Sequence, residues 1–254
     1  MTKLQKAVWW IPTLVAGCAT DPFDPGEAVQ LDQVSYSLSL SELSSGALST
    51  VKLDATSAAA MGNTATARKV LTVAVACALG GTQTVAFSVG GTSYSATGVL
   101  GIAPGWTSTA LTTTQAAWVS ACVFARVTDA STLVWLSVRG TEASLAPTIS
   151  ERADYQVEEG AFWGNAFPNL GAIAGYSCVG NDQATNDSYG QLPLRQCAQW
   201  DGVASSNLSP CGMSYAGRCN QVCASTVAPY SGCSFLGGAA IGPVVTVFLP
   251  GALH

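Results

Sequence analysis

Histidine is almost missing from this sequence: among 254 residues the only one is His254. A Ser-His-Asp triad, a Cys-His dyad, a histidine-ligated zinc hydrolase site and a Cys-x-x-Cys-His haem attachment all need a histidine placed among other groups, so the composition argues against each. Charge is scarce too, at 10% of residues against roughly 25% in ordinary soluble domains. The net charge is −5 and no basic stripe or basic amphipathic helix occurs, which argues against a nucleic-acid partner. Heptads and internal repeats are absent. Ser49–Lys52 reads Ser-Thr-Val-Lys, matching the Ser-x-x-Lys of penicillin-binding proteins, but no Lys-Thr-Gly follows. "GYSCVG" and "GMSYAG" each miss a nucleophile elbow by one position.

Apolar runs long enough to span a bilayer are also lacking. The N-terminal run "AVWWIPTLVAG" is eleven residues long and contains Pro12, short of the roughly 20 that a spanning helix needs. The last uncharged stretch, "FLGGAAIGPVVTVFLPGAL", holds 19 residues, but its four glycines, two prolines and β-branched centre predict a buried strand near Val244 to Leu249.

What is abundant is apolar residues, 48% of the chain, with Ser, Thr, Gly and Ala between them. Such a chain can bury a substantial core. Val34 to Leu43 alternates apolar residues with serine, as a strand does; the stretch after it leans helical. Asn63 or Thr64 can cap a helix that runs to Gly80 and buries Val70, Leu71, Val75 and Leu79. Val85, Phe87 and Val89 precede Gly90-Gly91, with Tyr94 and Ala96 beyond, which is a hairpin pattern. Thr112 and Gln115 have capping-box spacing ahead of Trp118, Val119, Cys122, Val123 and Val127 at helical intervals. "LVWLSVRG" reads as a strand. Thr148 and Glu151 form a second capping-box pattern, whose helix is expected to continue towards Gly160 or Gly164. From residue 171 the chain turns loop-rich.

Nine cysteines are present. Cys77 and Cys122 sit on two apolar helices and can join them by a disulfide, with two free buried thiols as the alternative. Cys178, Cys197, Cys211, Cys219, Cys223 and Cys233 can form three bridges, with about 15 connectivities open. Zinc held by Cys211, Cys219, Cys223 and Cys233 is the alternative, against which stands the lack of a Cys-x-x-Cys knuckle. No metal and no cofactor is expected. Asn181, Asp182, Asn186 and Asp187 offer oxygen atoms to calcium, but Asx-rich turns explain them without an ion. Glu151, Asp154, Glu158 and Glu159 gather on the expected third helix. Paired carboxylates can hydrolyse a glycoside, and Glu158 and Glu159 adjoin Phe162, Trp163 and Asn165, the make-up of a polar-aromatic binding site. First-turn acids on a solvated face account for Glu151 and Asp154 equally well.

The ninth cysteine, Cys18, follows Lys3, Lys6 and the short apolar run, an arrangement typical of an export signal. Val15-Ala16-Gly17-Cys18 resembles the lipobox of bacterial lipoproteins. That resemblance covers the first 18 residues and implies cleavage before Cys18, a diacylglyceryl thioether on its sulfur and acylation of its new amino group. Ala19 and Thr20 follow where inner-membrane lipoproteins carry Asp, so the resemblance implies the outer membrane. "LTTTQAAWVSACVFARV" and "EEGAFWGN", followed by scattered cysteines, loosely resemble uncharacterised cysteine-rich lipoproteins of myxobacterial type, which brings no activity with it.

The sequence is therefore expected to comprise a lipoprotein signal at 1–17, a lipidated cysteine and tether at 18–28, an α+β domain at 29–170 and a cysteine-rich region at 171–254 closing with a strand. The fold class is α+β, helices packed on a small antiparallel sheet with a disulfide-rich, loop-rich C-terminal region. The expected function is non-catalytic binding or scaffolding at the envelope or cell surface, anchored to the membrane through lipid, with an envelope protein or a glycan as partner. The alternative is a carboxylate-dependent hydrolase of envelope glycans using Glu158 or Glu159.

Overall fold

Side-chain caps set where most of the α-helices begin. A computed structural model of the protein describes residues 32–34, 38–128, 134–181 and 196–250. After strand β1 (Asp32–Val34) comes helix α1 (Leu40–Ser44), opened by a reciprocal capping box between Ser39 and Glu42. The strand expected from Val34 to Leu43 thus gives way to a helix by Leu40, because Ser39 and Glu42 satisfy each other's backbone N–H. Asp54 caps α2 (Ala55–Met61), Thr64 caps α3 (Ala65–Ala78), and the Thr112–Gln115 box opens α4 (Thr113–Ala125). Cys77 of α3 and Cys122 of α4 are fully buried and joined by a disulfide.

Between those two helices lies the expected hairpin, β2 (Thr84–Val89) and β3 (Thr92–Thr97), paired from Thr84↔Thr97 to Val89↔Thr92. Gly90 (φ 58°) and Gly91 (φ 81°) supply the left-handed conformations that a two-residue turn requires.

The second sheet has six strands. Besides β1 it contains β4 (Val134–Arg139), β5 (Val157–Asn165), β6 (Ala174–Val179), β7 (Ser214–Arg218) and β8 (Val245–Leu249), in the order β1-β4-β8-β5-β6-β7. Every pairing is antiparallel except β6 with β7. The uncharged C-terminal run therefore supplies a central strand, and among the described residues no helix is long and apolar enough to cross a membrane. Strands from both sides of residue 170 share this sheet.

Alternation along the strands separates two cores. Phe162 of β5 and Val245, Val247 and Leu249 of β8 join the large core containing α3 and α4. Ala161 and Trp163 of β5 and Cys178 of β6 join a smaller core with Cys219, Tyr230, Cys233 and Val244. Cys219 opens the short helix α6 (Cys219–Val222), following α5 (Ile149–Asp154) in chain order. Phe124 of α4 reaches the sheet only because Gly164 and Gly175 lack side chains: added Cβ atoms would lie 2.9 Å and 2.5 Å from its ring. Helices on an antiparallel hairpin and a mixed, mostly antiparallel sheet, larger than the small antiparallel sheet expected, with cystines concentrated towards the C-terminus, make the fold α+β.

One element departs from expectation. The helix starting at the Thr148–Glu151 box stops at Asp154, and residues 157–165 form β5. Arg139, from β4, donates through Nη2 to the carbonyls of Glu151 (3.3 Å) and Tyr155 (2.7 Å). These bonds satisfy C-terminal helix carbonyls. Beyond them, pairing with β8 on one side and β6 on the other holds Val157 to Asn165 extended.

Candidate functional site

Glu158 and Glu159 lie on a β-bulge, where Glu158 pairs with Phe248 and Gly160 with Val247, leaving Glu159 as the extra residue. The side chains serve opposite faces of the sheet. Glu158, 7% exposed, accepts a hydrogen bond from the Tyr230 hydroxyl at 2.6 Å and another from the Asn181 N–H at 3.1 Å. Tyr230 is fully buried in the small core, and its own N–H donates to Thr246 Oγ1 at 2.9 Å. Glu159, 1% exposed, accepts from the Cys197 N–H at 3.1 Å, and Cys197 belongs to the large core. The two carboxylates thus tie β5 to different parts of the C-terminal region.

The remaining acids separate. Glu151, which the sequence allowed on a solvated face, is 2% exposed. Ser137 donates to its carboxylate at 2.6 Å, and Arg139 Nε donates to Ser137 Oγ at 2.8 Å. The Arg139 guanidinium also lies 3.8 Å from the Phe248 ring centroid. Burial pulls it below its ordinary pKa, while the neighbouring Glu151 charge raises it. The capping box expected at Thr148 is present. Glu151 lies inside only because α5 is clamped against β4, whereas Asp154 remains exposed.

Phe162 and Trp163 are both fully buried, and belong to the two different cores. Trp163 stacks on Tyr176 at 5.9 Å, and its Nε1 has no hydrogen-bond partner among the described residues. Asn165 closes a loop: its amide donates to the carbonyls of Phe167, Gly171 and Ala172, and its Oδ1 accepts from the Phe167 N–H. The residues grouped by sequence therefore share a strand, but they do not converge on one cleft. A cavity of about 520 Å³ lies elsewhere, between α2 and the hairpin, where Thr56, Ala59, Ala86, Phe87, Ser93 and Tyr94 line it. Phe87 stacks on Tyr94 there at 5.8 Å, and Arg68 covers the Tyr94 ring at 4.3 Å.

The cystine pairing is Cys77–Cys122, Cys178–Cys219, Cys197–Cys211 and Cys223–Cys233. The four cysteines considered for zinc are not gathered: Cys211 is bonded to Cys197 and packs in the large core. Cys178, Cys219 and Cys223 are the ones that approach, with sulfurs within 4.8 Å of one another. Lys52 of the Ser-x-x-Lys match is exposed and faces Asp54 at 4.0 Å.

Sequence reasoning missed Tyr230, Thr246, Ser137 and Arg139. Thr246 carried a signal, being the polar residue in the alternating Val245-Thr246-Val247. Nothing local marked the others. Cys18 with its lipobox, and Asp182, Asn186 and Asp187 of the calcium alternative, lie outside the described residues.

No family model, no curated protein and no solved structure matches this chain. Its class therefore rests on its own features, those of an α+β globular domain braced by four disulfides. Disulfides in this number mark a protein of an oxidising, extracytoplasmic environment.

Proposed function

We propose that this protein is a lipid-anchored component of the bacterial envelope or cell surface, held at the outer membrane by acyl chains on Cys18, whose braced domain binds or scaffolds an envelope protein or a glycan. The observation that carries the reading is the complete pairing of the other eight cysteines. Pairing leaves Cys18 as the odd thiol, directly behind the short apolar run and the small residues Ala16 and Gly17. Acyl chains contribute about 0.8 kcal/mol per buried methylene, so two or three anchor a chain durably without a spanning helix. A non-catalytic role is supported by the acids themselves. Glycoside hydrolysis needs two carboxylates facing each other across one sugar bond, whereas Glu158 and Glu159 bind partners on opposite faces of a sheet.

Intact mass of the protein extracted from membranes tests the anchor. The expected species begins at Cys18 and carries a diacylglyceryl group and an N-acyl chain. A mature chain beginning at Ala19, or an unmodified Cys18, overturns the reading.

A further inference from the structure

Seven of the eight paired cysteines are buried, and Cys223 alone is half-buried. It is bonded to Cys233, yet its sulfur lies only 3.9 Å from that of Cys178, which is bonded to Cys219. The closeness follows from local structure. Cys219 is the first residue of α6 and Cys223 caps its end, with the Cys223 N–H donating to the Cys219 carbonyl at 3.0 Å. Residues four apart on one helical turn share a side, so both sulfurs face Cys178 on β6. Thiol–disulfide exchange requires an accessible sulfur for the incoming thiolate and a second disulfide within reach of the thiolate released. Cys223 is the half-buried residue among the eight, and its sulfur has the second cystine within 3.9 Å.

We propose that the two adjoining cystines form one thiol–disulfide exchange site, with an external dithiol as substrate and Cys223 as its point of entry. A thiolate of the dithiol attacks Cys223 Sγ, forming a mixed disulfide, and Cys233 leaves as a thiolate that takes up a proton. The second thiol of the substrate attacks its own sulfur in the mixed disulfide, so the substrate departs as a disulfide and Cys223 is freed as a thiolate. That thiolate attacks Cys178 Sγ; the Cys178–Cys223 bond forms, Cys178–Cys219 breaks, and Cys219 takes up a proton. Two electrons pass from the dithiol to the protein. The thiols left are Cys219 and Cys233, one from each original cystine.

The test is to treat the full chain with equimolar dithiothreitol, quench with acid, alkylate, and map the label by peptide mass. About tenfold more label on Cys219 than on Cys223, with Cys233 labelled alongside, is the expected result. In Cys178→Ala/Cys219→Ala the relay is removed and label falls on Cys223 and Cys233 instead. Should that variant fail to fold, the wild-type map decides alone. Label confined to Cys223 and Cys233 in the wild type, or appearing first at Cys77, Cys122, Cys197 or Cys211, overturns the proposal. Acylation of Cys18 does not enter this readout, so the exchange site and the anchor stand or fall separately.

Discussion

On one face of the six-stranded sheet, α3 and α4 pack a broad core in which Val70, Leu71, Val119, Val123, Phe124, Phe162 and Val247 are all fully or almost fully buried. On the other face the core comprises Ala161, Trp163, Cys178, Cys219, Tyr230, Cys233 and Val244. Three of these seven residues are half-cystines. Apolar burial contributes about 25 cal/mol per Å², so the helical face gains enough from packing to hold its shape. The opposite face buries too little for that and relies on cross-links, much as small secreted domains do. The same bond type therefore plays different parts: Cys77–Cys122 reinforces a core that exists without it, whereas Cys178–Cys219 and Cys223–Cys233 are a large share of what their core consists of.

Removing cystines one face at a time sharpens this contrast most. Cys77→Ala/Cys122→Ala opens a loop of 45 residues, and the chain-entropy model gives a loss of about 4 kcal/mol. Denaturant melts of this variant should still show one cooperative transition at a lower midpoint. Cys178→Ala/Cys219→Ala opens a loop of similar length, 41 residues, at a similar entropic cost, but its effect should be local. Amide exchange in β7 and α6 should approach unfolded rates while α4 stays protected. Equal loss of protection on both faces would break the comparison.

The seam between the two faces is the next place to press. Gly164 has φ 141°, and a Cβ there would run into the Ala174 carbonyl and lie 2.9 Å from Phe124. Gly164→Ala should cost about 3 kcal/mol, combining backbone strain with overpacking. A change below about 1 kcal/mol in denaturant midpoint analysis would mean that β6 and α4 both give way around position 164. On the cystine side, Tyr230→Phe removes one hydrogen bond to the buried Glu158 carboxylate. Its expected cost is about 2 kcal/mol, with faster exchange of the Tyr230 neighbours and unchanged protection of α3. On the helical side, Thr112→Ala removes the hydroxyl that accepts from the Gln115 N–H, for about 1 kcal/mol.

The sequence disclosed these two faces unequally. The Thr112–Gln115 and Thr148–Glu151 boxes and the Gly90-Gly91 turn are contacts within three residues, so residue spacing alone revealed them. Cys77–Cys122 was legible as well, because both residues fall on apolar helices and even pairing favoured a bond. By contrast, α5 ends where Arg139 reaches carbonyls 12 and 16 residues downstream, and Tyr230 finds Glu158 across 72 positions. No local pattern encodes those meetings. The acids therefore read as a helical cluster, when sheet pairing places Glu158 and Glu159 on a bulge and directs them to opposite faces. Connectivity among the last six cysteines depends on the same non-local placement, since the parallel pairing of β6 with β7 brings Cys178 beside Cys219, 41 residues away.

The smallest expected effect concerns the one well-formed ion pair linking two helices among the described residues, Lys69 of α3 with Glu42 of α1 at 3.1 Å. The Ser39 N–H holds the Glu42 carboxyl below its ordinary pKa; burial, next in size, opposes it, and the Lys69 ammonium adds smaller lowering effects. A carboxyl whose folded pKa is depressed contributes stability that is fully present above the unfolded value and disappears as pH falls through the folded one. The stability difference between wild type and Glu42→Gln should therefore be largest near neutrality and shrink between about pH 5 and pH 3. Both groups are partly exposed and screened by solvent, so the difference at neutral pH should stay below about 1 kcal/mol. Urea midpoints for the two proteins at pH 6.5 and pH 3, roughly either side of the carboxyl range, measure it. A difference that persists unchanged at the lower pH would assign the effect to helix packing in place of the charge. The attachment of α1 to α3 would then rest on apolar contact, as the rest of the helical face does.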